Sequence, residues 1–92
     1  MGLSEEDAVK RARRDLAKRL GLAEEKIKEV SIERVDFPDT ALGASVEDEM
    51  SGQMITSGWR IRLSASGHGG HEYRASEDEL RLYKFKGSNY RI

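Results

Sequence analysis

The chain contains no cysteine, one proline and one tryptophan in 92 residues, and aromatic side chains make up only 7% of it. Without cysteine there are no disulfides, no thiolate metal sites and no thiol nucleophile. No apolar run approaches the roughly 18 residues that a membrane helix requires. The charged start MGLSEEDAVKRARR lacks the apolar stretch of a signal peptide, so a cytoplasmic protein without a membrane partner is expected. Glu6 stands where a myristoylation signal carries Ser or Thr, which argues against lipid anchoring.

What remains is a polar chain, 37% hydrophobic and 36% charged, whose apolar positions nevertheless recur at regular intervals. That pattern separates it from a disordered composition, and its length suits one domain over residues 1–92 with a single modest core. The net charge of -1 conceals blocks: residues 10–28 carry +5 and residues 29–50 carry -6. Two such segments can complement each other within one fold, or the basic one can attract a polyanion.

The spacing predicts an amphipathic helix over residues 5–20. Ala8, Val9, Ala12, Leu16 and Leu20 share one side, Ser4 with Asp7 forms a capping arrangement, and Gly21 supplies the stop. LAEEKI follows as a short turn anchored by Leu22 and Ile27. KEVSIERVDF then has strand composition, but its apolar parity changes between Ile32 and Val35, which predicts a bulge near Glu33 and Arg34. Pro38 ends that strand, and about fifteen residues to Met54 form a loop with three consecutive acids.

GWRIRLSAS alternates most clearly, with Trp59, Ile61, Leu63 and Ala65 on one face and Arg60, Arg62, Ser64 and Ser66 on the other. HEYRAS continues the alternation, and GHGG between the two supplies a tight reversal. LRLYKF makes a last strand in which Leu80 and Leu82 compete with Tyr83 and Phe85 for the inward side; KGSNYRI carries no clear assignment. The expected fold is α+β, with the N-terminal helix packed on one face of a three- or four-stranded antiparallel sheet.

Several chemistries can be argued down. A zinc site needs three or four protein ligands, and His68 and His71 are the only imidazoles, so no metal and no cofactor are expected. The glycines around them lead into a strand, whereas a phosphate-cradling loop leads into a helix. Serines at 64, 66 and 76 lie near the histidines but without a nucleophile elbow, so no enzymatic activity is expected. The basic helix, with Arg11, Arg13, Arg14, Lys18 and Arg19, keeps a nucleic-acid accessory as the alternative function, against the absence of interleaved aromatics and of a net basic domain. One helix covers one face, so Arg60, Arg62 and Arg74 are expected on an open face with Glu72, where cross-strand pairing is the competing role.

The blocks DLAKRLG (residues 15–21), IKEVSIE (27–33), FPDTALG (37–43) and GWRIRL (58–63) resemble those of small bacterial proteins distantly similar to PepSY domains. The likeness spans about residues 8–84. It departs where Ala44 and SVEDEMSG replace a cysteine and prolines, and where Phe37 replaces tryptophan. PepSY domains restrain or accompany peptidases, so the resemblance implies a non-catalytic module that binds a protein or peptide partner. The expected contacts come from the 38–54 loop and the Trp59 hairpin, with Asp36, Asp39, Trp59, Arg60, Arg62 and Arg74 as candidate binding residues. Core packing competes for Trp59, whose parity matches Ile61 and Leu63.

Overall fold

The computed structural model describes residues 2–92. Its order is helix α1 (Glu5–Leu20), a 3-10 turn (Glu24–Lys26), then strands β1 (Ile27–Phe37), β2 (Thr56–Ala65), β3 (Gly69–Ala75), β4 (Leu80–Phe85) and β5 (Ser88–Arg91). The strands pair in chain order as one antiparallel sheet, so β1 and β5 are its edges. The α+β class holds with five strands, one more than the upper expectation. The tail makes the difference: it reverses at Lys86 and Gly87, both with positive φ, and sets Tyr90 opposite Leu82.

Helix α1 begins where the amide of Asp7 donates to the Ser4 hydroxyl at 3.1 Å, and ends at Gly21 in the left-handed conformation. The acids of its first turn and Lys18 and Arg19 of its last turn oppose its dipole. Ala8, Val9, Ala12, Leu16 and Ala17 are buried against Ile27, Ile61, Leu63, Ala65, Tyr73, Ala75, Leu80 and Leu82. Each buried valine, leucine or isoleucine of that set contributes about 1.5–3 kcal/mol, and each alanine less. Leu80 and Leu82 are therefore the inward pair of β4. A second tie crosses the layers: the buried Tyr73 hydroxyl donates to Asp15 at 2.7 Å, and Asp15 also accepts from Arg19 at 2.7 Å.

The bulge in β1 lies earlier than its apolar parity suggested. The register with β2 slips between Glu29 and Ser31, leaving Val30 63% exposed. The slip keeps Ile27 and Ile32 on the helix side, opposite Ala65 and Ile61, and sends Phe37 to the opposite face. Val30 is the extra residue, so its apolar character misdirects a parity reading.

The far face of the sheet is not left open. The segment after Pro38 folds back across it and buries Ala41, Leu42 and Ala44 completely, with Phe37 at 2% exposure. The sheet is thus covered by α1 on one side and by this loop on part of the other.

Candidate binding surface

The return of the loop is built by FPDTALG. The Asp39 carboxylate accepts from the amides of Ala41 (2.9 Å) and Gly43 (3.0 Å), closing a turn that directs Ala41 and Leu42 inward. Leu42 and Gly43 both take positive φ, and their carbonyls each accept from one Arg74 nitrogen at 3.1 Å. A Cβ on Gly43 would stand 2.7 Å from that nitrogen. The Arg74 guanidinium also lies 3.7 Å from the Tyr83 ring centroid and 5.6 Å from that of Phe37. Gly58 closes the arrangement, because a Cβ there would meet the Ala75 carbonyl oxygen at 2.0 Å and Phe37 at 3.2 Å.

Arg81 pins the far end of the loop. It is 2% exposed and makes a two-pronged contact with Glu49, 2.5 Å on each side, with further bonds to Glu79 (3.1 Å) and the Ala44 carbonyl (3.2 Å). The Arg81 hydrogen bonds hold the Glu49 carboxyl down at about 2, from an ordinary value of 4.5. Arg81 is the central charged residue of this face, and the alternation of LRLYKF gave no sign of it.

The residues singled out from sequence separate into distinct roles. Glu72 gathers three of the arginines: Arg74 at 2.8 Å, Arg60 at 3.5 Å and Arg62 at 3.6 Å, with Arg62 also 3.3 Å from Glu33. These form a cross-strand charge ladder on the part of the far face that the loop leaves uncovered. Arg74 belongs partly to the loop anchor, and Asp39 is that anchor's cap. Asp36 accepts from the Ser57 hydroxyl at 2.8 Å. Trp59 lies on the helix side, half-buried against the core, with the Arg34 guanidinium 5.9 Å from its ring centroid. The six candidates therefore do not converge on one point.

His71 is half-exposed, its ring centroid 5.7 Å from that of Phe85, and desolvation pushes its pKa below the ordinary imidazole value. His68 sits at the tip of the β2–β3 reversal, between Gly67 and Gly69 with φ of +78° and +77°. Among the described residues, no group of three or more His, Asp or Glu side chains is placed to hold a metal ion. No helix among them is long and apolar enough to cross a membrane.

A different place gathers exposed apolar surface. At the end of the sheet where β2 begins, a groove of about 470 Å³ is bounded by Arg34, Met54, Ile55, Trp59 and the β3–β4 turn through Glu77 and Asp78. Met54 is 66% and Ile55 73% exposed, and nearby in sequence Met50 is 97% exposed. Of the candidate residues, only Trp59 lines this groove. The signal for it in the sequence is MSGQMIT, three apolar residues in a segment without strand alternation.

Residues 9–83 match a protein family described as a domain of unknown function, DUF8738, and the chain belongs to that family. No curated protein and no solved structure matches it.

Proposed function

We propose that this chain is a small non-enzymatic binding module that takes a protein or peptide segment in the groove beside Met54, Ile55 and Trp59. The observation that carries the reading is the exposure of Met54 and Ile55 at the rim of a preformed hollow. Large apolar side chains held in water are unfavourable unless a partner covers them, and methionine adapts to partners of differing shape. Both walls are fixed. One is continuous with the hydrogen-bonded start of β2, and the other is the turn in which the Ser76 amide donates to the Glu79 carbonyl at 2.9 Å. A hollow already formed loses little ordering entropy on binding. The resemblance to PepSY-like domains supplies a peptidase, or the peptide it acts on, as the partner class.

Selection from a displayed library of random twelve-residue peptides, followed by fluorescence polarisation, tests this. Enriched peptides are expected to lose at least tenfold affinity for the Met54→Asp, Ile55→Asp double variant, whose thermal unfolding stays unchanged because both residues are exposed. Absence of enrichment, or binders indifferent to the double variant, overturns the reading.

A nucleic-acid accessory is the second reading. Lys10, Arg11, Arg14 and Lys18 are exposed on α1 and form no ion pair among the described residues, whereas Arg13 and Arg19 are paired with Glu29 and Asp15. That reading requires DNA or RNA binding that weakens steeply with salt and vanishes when Lys10, Arg11, Arg14 and Lys18 become Glu.

A further inference from the structure

We infer that the occupant of the Met54–Trp59 groove is an extended segment in which a bulky apolar side chain is followed, within about three residues, by lysine or arginine. The inference rests on the groove being a docking site and adds the chemistry of what docks.

The charges around the groove carry it. Four ionisable residues line the hollow: Arg34, Glu77, Asp78 and Glu79. Glu79 is committed to Arg81 at 3.1 Å, with Arg91 at 3.7 Å. Arg34 has its guanidinium 5.9 Å from the Trp59 ring centroid and keeps its charge, since it forms no ion pair among the described residues. Glu77 and Asp78 are exposed and form no ion pair among the described residues. The groove therefore presents an apolar wall and, beside it, two unpaired carboxylates against the single Arg34 cation, a net negative lining once Glu79 is set against Arg81.

The backbone that carries those carboxylates is held in place. The Asp78 amide donates to the Ser76 hydroxyl at 3.2 Å, the Ser76 amide to the Glu79 carbonyl at 2.9 Å, and the Leu3 amide to the Glu77 carbonyl at 2.7 Å. Ser76 itself is 3% exposed. A turn tied at three points fixes where the two acidic side chains branch from the chain beside Met54 and Ile55, and a constant placement of charge is what gives sequence preference. A bare metal ion is a poor fit, since no third ligating side chain stands with the two acids among the described residues. An organic cation on a side chain, arriving beside an apolar anchor, satisfies both walls at once.

The two contributions differ in kind. The apolar wall supplies most of the affinity with broad tolerance, as methionine-rich surfaces do. The exposed carboxylates supply discrimination, and because each is solvated the preference for a basic over an acidic partner is roughly tenfold at low salt and fades as salt is added.

The test compares library selections on the wild-type chain, on the Glu77→Lys, Asp78→Lys variant and on the milder Glu77→Gln, Asp78→Asn variant. The wild type is expected to enrich Leu, Ile, Met, Phe or Trp followed within three residues by Lys or Arg. The charge-reversed chain is expected to enrich Asp or Glu at those places, and the neutralised chain to lose the preference while keeping the apolar one. Circular dichroism checks that each variant folds, and the neutralised variant decides the matter if the reversed one does not. Peptides without charge preference, or a basic preference that survives in both variants, overturn the inference. If such peptides still depend on Met54 and Ile55, the docking site stands and only the occupant chemistry falls. If nothing enriches, the docking reading falls with it.

Discussion

Replacing Glu49 by glutamine tests how the loop is held on the far face of the sheet. The substitution preserves shape and one acceptor oxygen but removes the charge that meets Arg81 at 2.5 Å on two sides, leaving that 2% exposed guanidinium with Glu79 as its one anionic partner among the described residues. In the folded chain the Glu49 carboxyl sits at about 2, against 4.5 ordinarily. One unit corresponds to about 1.4 kcal/mol, and with a discount for the solvent that still reaches Glu49 the charged form stabilises the fold by about 2 kcal/mol at neutral pH. For a domain of this size that lowers Tm by roughly 8–16 °C.

The pH dependence supplies an independent check on the same pair. Because folding depresses the Glu49 pKa, its contribution is complete above about 4.5 and disappears as the pH falls toward 2. Urea unfolding followed by Trp59 fluorescence, at pH 7, 5, 4 and 3, should show the wild type and Glu49→Gln converging as acid is added, with equal dependence on urea. A difference below about 0.5 kcal/mol at pH 7, the level of an ordinary surface substitution, would refute the assignment. So would a difference that stays constant down to pH 3.

Other positions give sharp expectations. Gly58→Ala forces a Cβ to within 2.0 Å of the Ala75 carbonyl, so loss of about 3 kcal/mol or more, or recovery only as insoluble protein, is expected on expression and thermal melting. Asp39→Ala removes the cap on the Ala41 and Gly43 amides and should cost about 1–2 kcal/mol, with faster hydrogen exchange confined to residues 40–44. Tyr73→Phe deletes the 2.7 Å bond to Asp15 and leaves that carboxylate one donor short, so about 1–2 kcal/mol should be lost by chemical denaturation. Burial and the Asp15 carboxylate push the Tyr73 pKa above the ordinary phenol value of 10.0, so its contribution is present below pH 10 and lost as the pH rises beyond it.

The helix was legible because every local rule agreed: a capping serine, a three-to-four-residue apolar repeat and a glycine stop. The face of β2 was legible for the same reason, four apolar residues at strict alternation. Arg81 was not, because an arginine between Leu80 and Leu82 reads as solvent-facing unless one knows that residues 41–44 arrive from the middle of the chain to cover it. The partners that make its burial tolerable, Glu49 and Glu79, lie 32 and 2 residues away, and only the folded topology brings the first of them near. Strand β5 escaped because its four residues carry a single aromatic and no aliphatic side chain. Of the candidate binding residues, Trp59 alone reached the groove; Asp39 and Arg74 were informative for the loop instead, since short-range turn chemistry and ligand contact draw on the same residue types.

The slip at Val30 has a consequence for concentrated solutions. A β1 rim of eleven residues would otherwise offer neighbouring molecules a continuous template for growth. The extra residue divides it into two short lengths of different phase, and an incoming strand can follow only one of them unless it carries a matching insertion. With the exposed charges of Lys28, Glu33 and Asp36 also spaced along that strand, edge-to-edge addition is disfavoured without any chain having to cover the rim.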